Sequence, residues 1–353
     1  MVRHPIRRPA RVAALLLGAW LTGPGSVQAQ ASLDGVLLRG GGSSFAAPLF
    51  KSWIGDFHKE QPAIDVEYDS IGSGEGISRF MTGSLDFGGT DAPLSEAQVK
   101  QVEGSALQLP IAAGMIAICY NLPGVEGELR LPREVYAGIF DGTIREWSDQ
   151  RIQAANPDLL LPKRSIAVVT RRDGSGTTFA FASHLQAVDP VWREQKRGVG
   201  TLVDWPGVAM SARGNEGVAA RVKLAEYSVG YVEYGFAKRL GLQMAALENK
   251  DGQFVRPDLA AGQAALASEP GLGAGGLVPL IADPAGAASY PVVTLSWALV
   301  NRSYADRRKA AAVRAFIGWG LDAGQDSLEP LGYVRLPPAL TAAARAALEA
   351  AQW

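Results

Sequence analysis

This 353-residue chain contains one cysteine and three histidines, and no His/Cys/Asp/Glu cluster has metal-ligand spacing. A single Cys119 cannot close an internal disulfide, and its setting in the apolar run MIAICYN reads as a buried strand. No lysine follows a glycine loop in the Walker pattern, so a P-loop nucleotide site is excluded. GSGEG lacks the third glycine of the dinucleotide fingerprint at the required spacing. After residue 31 no apolar run approaches the ~20 residues that a membrane-spanning helix needs. An excess of positive charge is missing too, with 34 basic against 35 acidic residues. Nucleic acid and anionic membrane surfaces are therefore poor partners for it.

The start of the chain is set apart by its own composition. Arg3, Arg7, Arg8 and Arg11 precede the apolar run VAALLLGAWL, and a polar stretch ends in VQAQA. This is the pattern of a secretory signal peptide over residues 1–29, with cleavage after Ala29 or Ala31. The double arginine lacks the rest of a twin-arginine signal, which leaves ordinary export to the periplasm. No cysteine lies near the cut to carry a lipid anchor. Loss of the four arginines leaves 30 basic residues against 35 acidic ones. Any anion site in the mature protein must then act locally, because the overall field opposes it.

The remaining length exceeds one typical core and predicts two domains. Strand-like and helix-like patterns alternate, as in an α/β protein. GVLLRG reads as a strand, and Leu49, Trp53 and Phe57 mark the buried face of a helix that Pro62 ends. Ile64, Val66 and Tyr68 alternate as in a half-buried strand, and EGISRFMTG is a short helix closed by Gly83. Ser95 with Gln98 forms a capping box. SIAVVT reads as a buried strand, and Phe181, Leu185 and Val188 line the helix beyond it. GNEGVAARVKLAEY is helical, and VGYVEYGFA and YPVVTLSWALVN are strands. Helices around Val313–Leu321 and Thr341–Ala350 close the chain, while residues 260–290 read as a loose surface excursion.

Three places share one local grammar of strand, small or hydroxyl residues, then helix: GGGSSF, IGSGEG and DGSGTT. Glycine admits close approach of a ligand to the backbone, and a helix's first turn offers unpaired N–H groups. One such place is ordinarily just a capped helix. Three together, with Arg171 beside one of them, point to an anion held at several helix N-termini. GGTDAPLS supplies a fourth element, in which Asp91 either caps the helix starting near Pro93 or faces the anion. An ionised carboxylate only accepts hydrogen bonds, so it would tolerate a protonated oxyanion and repel a fully ionised one. Phosphate near neutral pH keeps a proton and sulfate does not.

Catalysis has little support. GSSFA nearly matches the nucleophile elbow, with Ala46 in place of the last glycine. A hydrolase would also need a base, and His58 and His184 both read as surface residues of polar helices.

The runs GGGSSFAAPLF, YDSIGSGEG, LDFGGTDAPLS, IAVVTRRDGSGTTF, GNEGVAA and VGYVEY together resemble the periplasmic phosphate-binding proteins of Pst ABC transporters. The resemblance runs from about Leu33 almost to the C-terminus. It implies an α/β type II periplasmic binding protein fold, two α/β lobes joined by two crossover strands near 106–112 and 287–293. Lobe I would comprise 30–109 and 291–353, and lobe II 110–290. It further implies phosphate bound by Ser44, Phe45, Ser73, Asp91, Arg171, Ser175, Gly176 and Thr177, with Asp173 orienting the arginine. No cofactor, metal or catalytic residue is implied. The partners would be inorganic phosphate and the membrane permease subunits with their ATPase, and the protein would be a monomer. A secreted phosphatase or esterase on the same scaffold, or a phosphate sensor or adhesin, are the alternatives. Glu75 and Arg172 depart from the family's usual residues, either as solvated side chains or as a pair across the cleft.

Overall fold

The computed structural model describes residues 1–2, 33, 35–102, 106–206, 210–269 and 277–351. The expected signal peptide, apart from Met1 and Val2, lies outside the described residues. Leu33–Trp353 forms one compact unit built on a sheet that is shared from end to end. Its strands are β1 (Val36–Gly42), β2 (Ile64–Ser70), β3 (Phe87–Thr90), β4 (Ala106–Asn121), β5 (Ala167–Arg171), β6 (Met210–Ala212), β7 (Ser228–Glu233), β8 (Gln243–Met244) and β9 (Val293–Asn301). The order across the sheet is β2-β1-β3-β9-β4-β7-β5-β6, with β8 paired to β4.

β4 connects the two ends of this sheet. Fourteen of its sixteen residues are buried, which explains the unbroken apolar run in place of polar alternation. Its first part pairs antiparallel with β9 through Met115, and from Ile116 onward it pairs antiparallel with β7. The opposite edge of the exchange is tied by Ile116 N–H to the Val292 carbonyl at 2.9 Å and by Tyr290 Oη to the Ile116 carbonyl at 3.1 Å. Cys119 is buried within β4, as its sequence setting predicts.

Helix α1 (Ala47–Glu60) buries Leu49, Trp53 and Phe57, the face expected from their spacing. Phe50, Trp53, Phe57, Tyr68, Phe87 and Phe316 form a cluster of stacked, tilted and edge-on rings between this helix and the sheet. Trp53 also donates from Nε1 to the Gly324 carbonyl at 2.8 Å. Trp53→Ala would empty this contact and orphan that carbonyl. The expected loss is about 3–5 kcal/mol of stability, read from the denaturant midpoint of the variant against the parent.

Two stretches fold differently from what their sequence pattern predicts. YGFA does not continue strand β7, because Glu233 accepts from Gly235 N–H and Phe236 N–H and starts the helix Tyr234–Leu240. Residues 260–290 are not a loose excursion throughout. Asp258 caps a helix, Leu259–Ala267, that buries Ala261, Ala265 and Leu266, and Ile281, Ser289 and Tyr290 are also buried. Residues 270–276 lie outside the described residues.

Candidate functional site

The three strand–turn–helix places converge. β1 leads through Ser43, Ser44 and Phe45 into α1, and β2 leads through Gly72 into α2 (Ser73–Met81). β5 ends at Arg171 and leads into α3 (Gly176–Val188). Neither α1 nor α2 has a side-chain cap on its first turn, whereas Ser175 caps α3 by accepting from Thr178 N–H at 3.0 Å. The hydroxyl hydrogen of Ser175 stays available to donate.

Glycine is required at the meeting points of these loops. Gly72 has φ +89° and lies so close to Asp173 and the Gly174 carbonyl that a Cβ would sit 2.5 Å from Asp173 Oδ2. Gly74 N–H donates to the Gly174 carbonyl at 2.9 Å, joining the second and third loops directly. A methyl on Gly176 would lie 2.6 Å from Ser73 Oγ and 2.7 Å from Asp91 Cβ.

Arg171 is the buried cation of the site, its side chain 1% exposed. Asp173 holds Nε at 2.8 Å and Nη2 at 2.5 Å, the clamp that the sequence resemblance implies. Asp173 accepts from Gly214 N–H as well, at 3.2 Å. Burial pushes the Asp173 carboxyl up, but the hydrogen bonds and charge of Arg171 outweigh it and hold the group below the usual carboxylate range. The third nitrogen, Nη1, is buried and has no hydrogen-bond partner among the described residues.

Asp91 is 1% exposed at the end of β3. It does not cap a helix. The next helix starts only at Glu96, behind the Ser95–Gln98 capping box, in which Ser95 N–H donates to Gln98 Oε1 at 2.8 Å. Instead its carboxylate accepts from Ser43 Oγ at 2.6 and 2.7 Å, from Ser296 Oγ at 2.7 Å and from Ser73 Oγ at 3.4 Å. Burial raises its pKa to about 6, against the opposing pull of the Ser43 and Ser296 hydroxyls, the Arg171 charge and Ser73. At neutral pH the group is therefore mostly an ionised acceptor in surroundings made of donors.

Ser44, Ser73, Asp91, Arg171, Ser175, Gly176 and Thr177 thus come together, and the buried Phe45 ring packs on Tyr333 behind them. Sequence reasoning missed three members. Asn215, in α4 (Gly214–Leu224), donates from N–H and Nδ2 to Ser44 Oγ at 3.0 and 3.1 Å, and from Nδ2 to Thr177 Oγ1 at 3.1 Å. The motif GNEGVAA was its only signal. Ser43 stood beside Ser44 without a distinguishing mark, and Ser296 lies in a different strand. His184 was misread. It is buried, with Nδ1 donating to the Ala282 carbonyl (2.7 Å) and Nε2 accepting from Tyr136 Oη (2.9 Å), and burial lowers its pKa to about 4. Glu75 pairs with Arg79 on its own helix at 2.7 Å and does not reach across the cleft to Arg172.

A shared curled sheet and a buried, donor-rich pocket between loops of its two ends are the features of a solute-binding protein of the periplasmic type. Residues 24–323 match the PBP superfamily domain. The chain is 37% identical over 306 residues to the phosphate-binding protein PstS of Xylella fastidiosa, covering 86% of this chain and 83% of that one. It is 36% identical over 301 residues to PstS of Haemophilus influenzae, covering 85% and 89%. The chain belongs to the PstS family of phosphate-binding proteins. Among solved structures it superposes on a high affinity periplasmic phosphate-binding protein (PfluDING) bound with phosphate, with a TM-score of 0.73 and 21% identity over 88% of this chain and 93% of that one. A phosphate binding protein from Stenotrophomonas maltophilia gives a TM-score of 0.69 at 21% identity, with the same coverage of both chains. The fold is that of a type II periplasmic binding protein, as the sequence resemblance implies.

Proposed function

We propose that this protein binds inorganic phosphate in the periplasm and delivers it to the permease subunits of an ABC importer driven by a separate ATPase. The observation that carries the reading is Arg171 Nη1, a buried charged donor without a partner among the described residues, set in the same pocket as the buried acceptor Asp91. An oxyanion that still carries one proton satisfies both. In this reading Arg171, Ser44, Ser73, Ser175 and Thr177 donate to the phosphate oxygens, as do the N–H groups at Phe45 and Gly176. Asp91 accepts the ligand's proton, and Asp173 keeps the guanidinium in place.

Charge-assisted hydrogen bonds contribute about 1.5–3 kcal/mol each. Several of them, less the entropic cost of association, leave a binding free energy of about −8 kcal/mol, or micromolar affinity. We also assign residues 30–109 and 291–353 to one lobe and 110–290 to the other. The change of partner along β4 between Met115 and Ile116 supports a hinge close to that division. Ligand touching both lobes then favours the closed form over the open one.

Among the described residues neither histidine is placed to act as the base of an enzymatic reading. His184 is occupied by Tyr136 and Ala282, and His58 lies 3.8 Å from Asp65 on an exposed face. We therefore take the chain to be a binding protein and not a hydrolase, acting as a monomer. Among the described residues no helix is long and apolar enough to cross a membrane. A thermal-shift titration tests the reading. Phosphate at about 100 times its Kd should raise Tm by about 5 °C, with sulfate leaving it unmoved. Equal protection by both anions would refute it.

A further inference from the structure

The pocket contains two serines that the phosphate reading leaves without a ligand contact. Ser43 and Ser296 are both 0% exposed, and both direct their hydroxyls at Asp91. Ser296 lies on β9 and makes only that side-chain bond, to Oδ1 at 2.7 Å. The Ser43 hydroxyl hydrogen is shared between the two carboxylate oxygens, while its oxygen accepts from Ala46 N–H at 3.0 Å. Asp91 thus receives two fixed donors before any ligand arrives. We propose that Ser43 and Ser296 are specificity-determining residues, positioning donors that keep Asp91 ionised and so preserve its preference for a protonated over a fully deprotonated tetrahedral oxyanion.

The inference rests on the phosphate-binding reading and follows from what protonation would do to the site. An ionised Asp91 accepts the proton of hydrogen phosphate and turns sulfate away. A protonated Asp91 becomes a donor, and a pocket made only of donors suits sulfate at least as well. Selectivity therefore depends on the charge state of one buried carboxyl. Around it stand Ser43, Ser73 and Ser296, Arg171 from β5, and the hydroxyl of Tyr68, which donates to the Ser43 carbonyl at 3.0 Å and not to the carboxylate. Glu233 and Tyr333 face it from farther off, and Glu233 is itself pushed by burial to about 8. Arg171 is already held by Asp173, so the two serines supply donors that no other acidic group claims.

The sign is fixed. Asp91 is ionised above its midpoint near 6, and selectivity is lost as the pH falls through that value. Removing one hydroxyl donor favours the neutral form and moves the midpoint up by about one pH unit or more. In Ser296→Ala the loss of selectivity then reaches neutral pH.

The experiment measures Kd for phosphate and for sulfate by calorimetry between about pH 5 and 8, in the parent, Ser296→Ala, Ser43→Ala and Ser296→Thr. Phosphate's own titration is common to all four proteins and cancels in the comparison. In both alanine variants the phosphate-to-sulfate preference should fall about tenfold at neutral pH, and its pH profile should shift to higher pH. Ser296→Thr, which keeps the hydroxyl, should restore the parent profile. Ser43→Ala also removes a bond to Ala46 N–H, so Ser296→Ala is decisive if Ser43→Ala folds poorly. An unshifted profile in Ser296→Ala overturns the inference while leaving phosphate binding intact. A parent protein without any preference for phosphate overturns instead the reading on which it rests.

Discussion

Arg171→Ala is expected to weaken phosphate binding by well over tenfold in a calorimetric titration. The side chain is 1% exposed, and two of its three nitrogens are committed to Asp173. Its third nitrogen has no partner among the described residues and would give a charge-assisted bond to the ligand. Loss of one such bond alone costs about 1.5–3 kcal/mol, a factor of about 10 to 150. Truncation does more, because it leaves Asp173 and Asp91 as buried carboxylates without their cation, ahead of an incoming anion. Arg171→Lys should fall between parent and alanine: the charge remains, but a single ammonium cannot both lie in the Asp173 fork and reach the ligand. The backbone bond from Arg171 N–H to Tyr231 Oη, 3.2 Å long, survives either change, so circular dichroism should report a folded protein. An affinity near that of the parent would remove Arg171 from the site.

Asp91→Asn is expected to narrow the discrimination between phosphate and sulfate. In the parent, sulfate would bring an oxygen without hydrogen against a buried carboxylate, and two facing acceptors cost several kcal/mol. Asparagine keeps the shape and adds an N–H₂ donor, so the clash with sulfate disappears while phosphate loses the acceptor for its proton. Both effects act in the same direction on the ratio. The variant cannot titrate at this position, so its ratio should follow only phosphate's own titration and lack the parent's loss of selectivity below about 6. A ratio equal to the parent's at neutral pH would mean that Asp91 does not meet the ligand.

The parts of the site that could be read from sequence are those encoded by neighbours in the chain. Arg171 and Asp173 lie in one short run, RRDGSGT, and their pairing was legible through the resemblance that this run carries. The capping box at Ser95 and Gln98 is equally local. Trp53 and Phe57 follow from the period of a helix, and β4 from an unbroken apolar run. What could not be read depends on distant pairing. Ser296 reaches Asp91 across 205 positions, and nothing in YPVVTLSWALVN distinguishes its serine from any other strand serine. Asn215 gains its meaning only when α4 is brought against Ser44 and Thr177. His184 sits among residues that look suited to a surface, and it is buried because the chain near Ala282 comes back over it. The helix Leu259–Ala267 was hidden by an alanine- and glycine-rich composition, which carries little periodicity although alanine has the strongest helix propensity.

The meeting of bare backbones around the pocket sets a limit on what it can admit. Gly74 and Gly174 are joined by a hydrogen bond, and Gly176 lies against Ser73 and Asp91 with no space for even a methyl group. A guest with a carbon tail on any oxygen would need an exit through one of these walls. If phosphate sits there, sugar phosphates, nucleotides and lipid headgroups are kept out by size.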